Sequence, residues 1–281
     1  MIGIIGAMQV EVDAICAKMT DTEVKTISGI DFVCGKLCGK DVVCAKCGVG
    51  KVFAAMCAQT MIVRFGADII INTGVAGTLD ARIGIKDLAV SSACVQHDMD
   101  TTALGDERGL ISGMNIVKIP ADAELCEAAL EAAREIGVKA ISGVIASGDC
   151  FVSSAEKKKD IAKTFGAIAC EMEGGSVAQV CYAGGVRYVV VRSISDNADG
   201  SADIGRHRTA AGVTRANKYT IHQKASLLGL IPAFTAFRFR NERHAQFDRA
   251  LHLLAKQCKH RPSLLLRRFQ DQFVVYLQDQ A

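Results

Sequence analysis

From residue 1 to residue 204, short apolar runs alternate with stretches of helical periodicity, and this alternation confines the chain to a layered α/β domain. Residues 1–6 read as a buried strand and 10–19 as the helix behind it. Residues 32–37 and 41–47 form a hairpin about Gly39 and Lys40. A helix over 52–65 and an Ile-rich strand over 68–72 follow, with Gly74 and Gly77 punctuating the chain beyond. The clearest helix spans 123–136: Asp122 is its N-cap, Leu125, Ala129, Ala132 and Ile136 make one stripe, and Gly137 ends it. Strands over 140–146, 167–171 and 188–193 come next, separated by helices near 155–165 and 176–183.

At 281 residues the chain can bury a sizeable core, and 50% hydrophobic with 22% charged residues is the composition of a folded chain. Aromatic residues make up only 5%, which speaks against a base-stacking nucleic-acid platform. No apolar stretch reaches the roughly 18 residues of a membrane helix. The N-terminus lacks a basic export signal and runs straight into Glu11 and Asp13, so a cytoplasmic location is expected. The 12 cysteines then read as reduced, small apolar residues. Cys34, Cys38, Cys44 and Cys47 have a zinc-like spacing, but hairpin alternation turns Cys44 and Cys47 to opposite faces, so no metal is expected.

Charge divides the chain at residue 204. Residues 1–204 carry 19 Lys and Arg against 26 Asp and Glu, whereas 205–281 carry 14 against 4. Five histidines, 207, 222, 244, 252 and 260, lie in the second part and only His97 in the first. Two segments are therefore expected: a domain over 1–204 and a basic segment over 205–281.

Within the first part, polar clusters sit just past strand ends, where α/β folds place ligands. They are Gly6-Ala7-Met8 with Glu11 one turn on, Asn72 to Gly77, Ser147 to Phe151, and Cys170 to Glu173 together with Arg192 to Asp196. The ordered set GIIGAM, GVGKV at 48–52, INTGVAG at 71–77, SGD-x-F at 147–151, EMEG at 171–174 and RSISD at 192–196 resembles the 5′-methylthioadenosine/S-adenosylhomocysteine nucleosidases of the purine nucleoside and uridine phosphorylase superfamily. The resemblance implies a three-layer phosphorylase/hydrolase-like fold, a central mixed β-sheet flanked by helices. It also implies hydrolysis of the N-glycosidic bond of 5′-methylthioadenosine, S-adenosylhomocysteine and 5′-deoxyadenosine to adenine and the sugar, in methionine salvage. A small-molecule nucleoside substrate, a homodimer and no cofactor or metal come with it.

Such a reaction passes through an oxocarbenium-like sugar, so the departing base needs a proton and water must be held on the opposite face. By the family pattern Asp196 is the general acid and Glu11 the residue that positions and deprotonates water. Glu173 accepts the ribose hydroxyls, Met172 packs on the sugar and Phe151 beside the purine. Backbone groups of Phe151 and Val152 read the adenine edge. Met8, Val49, Ala76 and Gly77 line the walls, and Ser195 and Arg192 support Asp196.

Each residue alone has a blander reading. Glu11 suits a solvated first helical turn, Glu171 and Glu173 an exposed edge strand, Asp196 a turn, and Met172 the core. Cys150 is a thiol near the site with no evident base, and His97 suits a structural or interface role. A phosphorylase is the nearest rival function. A carboxylate at Glu11 repels phosphate, and no arginine pair near Gly6 or Val49 would hold it.

Two departures stand out. Beyond Ile204 the family's acidic segment and last helix are replaced by a sequence that a change of reading frame would produce; a basic appendage for RNA, an anionic membrane or a partner is the other reading. A crippled enzyme whose tail governs binding is therefore the second rival. Leu104 stands where some members place an aromatic residue reaching into the neighbouring subunit's site, which makes the 5′ pocket aliphatic.

Overall fold

Ten strands, five α-helices and one short 3₁₀ turn (Thr102–Leu104) build the part of the chain that the computed structural model describes, residues 1–198. The expectations for 205–281 lie outside the described residues. In order the elements are β1 (Ile2–Gly6), α1 (Gln9–Cys16), β2 (Thr20–Ile27), β3 (Ile30–Leu37), β4 (Lys40–Lys46), α2 (Lys51–Phe65), β5 (Ile69–Thr78) and β6 (Leu88–Gln96). After these come β7 (Ile119–Pro120), α3 (Ala123–Glu135), β8 (Ala140–Ser147), α4 (Ala155–Phe165), β9 (Ala167–Glu171), α5 (Gly174–Ala183) and β10 (Arg187–Asp196).

The helix ends follow the local chemistry. Asp122 accepts from the Leu125 amide at 3.0 Å and starts α3, and Ser154 accepts from the Lys157 amide at 3.1 Å and starts α4. Gly66 and Gly166, with φ of 68° and 65°, end α2 and α4 in the left-handed region that only glycine enters at little cost.

One mixed sheet forms the centre. The fully buried β1 runs parallel between β4 and β5, and β4, β3 and β2 continue antiparallel to the edge. On the other side β5 pairs parallel with β10 along most of its length and antiparallel with β9 at Gly77 and Thr78. Because β10 meets β6, β6 meets β8 and β8 meets β9, the strands β5, β10, β6, β8 and β9 close on one another. Helices flank this sheet, as the family resemblance implies, with α2 packed along α5, α3 against β6 and β8, and α4 against β9. Along β5 the pairing with β1 ends at Thr73 and that with β9 begins at Gly77, so the ends of β1, β5, β9 and β10 meet there, and the end of β8 joins them by pairing Ser147 with Glu171. Among the described residues no helix is long and apolar enough to cross a membrane.

Three strands escaped the reading of the sequence: the two-residue β7, and the longer β2 and β6. In β2 the sequence TDTEVKTI is exposed along nearly its whole length, so no apolar face marks it. In β6 the polar Ser91 and Gln96 interrupt the apolar run although both are buried; the Ser91 hydroxyl accepts the Val190 amide at 2.8 Å.

Candidate active site

One cavity of about 220 Å³ opens where the strand ends converge, a scale suited to a small-molecule ligand rather than a polymer. Met8, Glu11, Val49, Ala76, Gly77, Phe151, Val152, Met172, Glu173, Ser195 and Asp196 all line it, so the structure brings together every expected site residue except Arg192. Phe151 and Val49 remain 56% and 53% exposed, apolar groups held at the mouth for something to cover.

Glu11 reaches the cavity because α1 starts directly after β1. Its Oε2 accepts the amides of Ala7 and Met8 at 2.7 and 2.9 Å, a capping arrangement that folds the side chain back over the helix start. At 4% exposure it is not the solvated first-turn residue that its position alone suggested. The other carboxylate oxygen lies 3.0 Å from where a Cβ on Gly74 would stand, so glycine makes room for it.

Asp196 enters from the end of β10. Its Oδ2 accepts the Ser195 hydroxyl at 2.8 Å and its Oδ1 the Ala198 amide at 2.8 Å, so it also serves the turn that its sequence suggested. That Oδ1 lies 2.8 Å from where a Cβ on Gly77 would stand. Gly74 and Gly77 are three residues apart, at most roughly 10 Å of extended chain, so the two carboxylates approach β5 at separate points.

Glu173, just past β9, donates no charge to solvent: it is 6% exposed, its Oε1 accepts the Gly50 amide at 2.9 Å, and its Oε2 lies 3.8 Å from Arg192. Burial and the neighbouring charge of Glu171 push its pKa up to about 7, against the opposing pull of Arg192. Glu171 behaves oppositely. Burial works against its charge, but Arg192, the Ser147 hydroxyl and the amides of Gly174 and Glu173 together hold its carboxyl below the usual range.

Arg192 is the correction to the expected site. It lies beneath the cavity, 1% exposed, and its guanidinium donates to Asn72, the Val191 carbonyl and Glu171 rather than to Asp196. The register of β10 against β5 shifts between Ile194 and Asp196, so the alternation that would have put Arg192 and Asp196 on one face is broken. Ser195 alone of the expected pair supports Asp196. Glu171, Ala7, Val75, Cys150 and Cys170 also line the cavity, although the sequence reading gave them no role in the site. Glu171 and Cys150 stood inside the EMEG and SGD-x-F motifs, and that was their signal.

Cys150 accepts a hydrogen bond from the Lys157 ammonium at 2.9 Å. His97 is buried, and desolvation holds its pKa below the ordinary value against the pull of Asp98. Among the described residues no three His, Cys, Asp or Glu side chains are grouped to hold a metal ion. Chemically, the arrangement offers carboxylates of different surroundings around one small apolar-rimmed cavity, suited to acid and base work on separate sides of a ligand.

The profile of the phosphorylase superfamily matches residues 1–224, past the charge break at 204. A curated 5′-methylthioadenosine/S-adenosylhomocysteine nucleosidase of Shewanella loihica is 43% identical over 215 residues, 75% of this chain and 93% of its own length. The chain belongs to the nucleosidase family of the phosphorylase superfamily. Among solved nucleosidases, the Helicobacter pylori enzyme bearing one aspartate-to-asparagine change, with 5′-methylthioadenosine in its active site, shares 35% identity at a TM-score of 0.74. That comparison covers 82% of this chain and 97% of the other. A futalosine hydrolase of Helicobacter pylori is equally close in fold, 36% identical at a TM-score of 0.74 over 82% of this chain and 96% of its own.

Proposed function

We propose that this chain hydrolyses the N-glycosidic bond of 5′-methylthioadenosine and S-adenosylhomocysteine to adenine and the corresponding thioribose. The observation that carries this reading is that Glu11 and Asp196 line one cavity and approach β5 at separate points, with Glu173 in the same lining. In the proposed reaction the bond from the anomeric carbon to the ring nitrogen breaks as Asp196 delivers a proton to the adenine ring. Water bonds to the anomeric carbon from the other face and loses its proton to Glu11. Two amides hold Glu11 Oε2 and so fix the carboxylate, with Oε1 toward Gly74 on β5.

Glu173 in its ionised form accepts the ribose hydroxyls and favours the positive transition state. Met172 packs on the sugar, Phe151 lies beside the purine, and the Val152 backbone reads the adenine edge. Met8, Val49, Ala76 and Gly77 close the remaining walls. Ser195 orients Asp196, and Arg192 acts one layer deeper by anchoring Glu171, whose carboxylate in turn holds the amides of Glu173 and Gly174.

A homodimer belongs to the same proposal. Val52, Phe53 and Met56 on α2 are exposed, as is Leu104 at 82%, which is apolar surface for a second copy to cover. The reading includes a cytoplasmic location, and treats 205–281 as a separate basic segment on its charge alone. Adenine release from both substrates, measured with and without phosphate, tests the function. Phosphate-independent release with a free sugar product supports it; release that requires phosphate and gives a sugar phosphate makes the chain a phosphorylase.

A further inference from the structure

Outside the reacting carboxylates, a ring of three charged residues joins two walls of the cavity. The Lys51 ammonium donates to Asp98 Oδ1 at 2.7 Å. The Asp149 amide donates to Asp98 Oδ2 at 2.8 Å. The Lys51 amide donates to Asp149 Oδ1 at 2.8 Å, closing the ring and placing a carboxylate at the start of α2, where the helix dipole favours it. The Lys51 side chain is only 18% exposed and also reaches Gln96 at 3.2 Å.

The ring is built into the backbone as well. Gly50 has φ of 102°, and a Cβ there would stand 3.0 Å from the Asp149 carboxylate. A Cβ on Gly148 would stand 2.5 Å from the His97 imidazole, so that loop lies directly on the residue preceding Asp98. Val49 lines the cavity beside this ring and the Gly50 amide holds Glu173, while Phe151 and Val152, two and three residues past Asp149, line it too.

We infer that Asp98 is a positioning residue, a strut whose carboxylate holds the Val49–Lys51 turn against the Asp149–Val152 loop and so sets the spacing between the ribose and base walls. This rests on the nucleosidase reading for its kinetic consequence, though not for its structural one. Lys51 supplies the charge that makes the strut strong, because a carboxylate shared by an ammonium and an amide makes two charge-assisted hydrogen bonds.

Hydrogen–deuterium exchange on the unliganded full chain tests the strut without any turnover. In Asp98→Asn, peptides covering 49–52 and 148–152 should both exchange about tenfold faster, the loss of one charge-assisted hydrogen bond. Asp100→Asn, which alters an exposed carboxylate that accepts the Thr102 amide and hydroxyl, should leave both segments unchanged. Kinetically, Asp98→Asn should raise KM for 5′-methylthioadenosine about tenfold with kcat within about twofold. Adding Lys51→Met should cost less than the sum of the two single changes, because both remove the Lys51–Asp98 contact.

Unchanged exchange in 49–52, additive losses in the double variant, or faster exchange spread over the whole domain with KM untouched would each overturn the assignment. If the parent chain releases no adenine, the nucleosidase reading fails and the exchange result still decides the role of Asp98.

Discussion

Replacing Glu173 by glutamine should stabilise the protein above neutral pH while weakening its activity. In the folded chain the Glu173 carboxyl titrates at about 7 instead of the ordinary 4.5, because burial and Glu171 disfavour its charge more than Arg192 favours it. A carboxyl raised in this way contributes stability that is fully present below 4.5 and lost as pH rises through about 7. Each tenfold in proton affinity is worth about 1.4 kcal/mol, so ionising the buried group costs the fold about 3 kcal/mol at alkaline pH. Glutamine keeps the size and the acceptor for the Gly50 amide but cannot ionise, so the variant escapes that cost. For a domain of this size about 3 kcal/mol corresponds to roughly 6–12 °C in the unfolding midpoint. Thermal unfolding of parent and Glu173→Gln, at equal protein concentration and at pH 5 and pH 9, reads the difference. The gap in favour of the variant should be small at pH 5 and large at pH 9. A gap independent of pH, or a parent more stable than the variant at pH 9, would refute the reasoning.

Because the ionised form of Glu173 is the one that accepts the ribose hydroxyls, kcat/KM should rise with pH through about 7; a profile flat from pH 6 to 8 contradicts that role. Gly77→Ala drives a Cβ to 2.8 Å from the Asp196 carboxylate, and the displaced acid should cost about 10²-fold in kcat, read from initial rates. Glu171→Gln leaves the buried Arg192 without its full counter-charge and should destabilise by about 3–5 kcal/mol in denaturant titration.

Most of this site was legible because its residues stand where apolar runs stop. Ile2 to Gly6 is so plainly a buried strand that the polar residues beyond it had to lie at a sheet end, and the same holds for Ser147, Glu171 and Asp196. Taken singly, Glu11 and Glu173 read as solvated surface acids; only their order along the chain opposed that, and both are buried, at 4% and 6% exposure. What local sequence does not carry is pairing between distant strands. The closure of β5 through β10, β6, β8 and β9 depends on one strand, β5, that pairs with three neighbours. Likewise the role given to Arg192 came from the family pattern, and local sequence does not show the register shift before Asp196 that separates the two residues.

The central claim is that Asp196 and Glu11 share one reaction from separate sides of the cavity. Adenine release from 5′-methylthioadenosine in phosphate-free buffer, compared between the parent, Asp196→Asn and Glu11→Gln, addresses it directly. The account predicts turnover by the parent and a loss of about 10²–10⁴-fold in each variant, the usual worth of a positioned acid or base. Either variant retaining a rate within about tenfold of an active parent would contradict it.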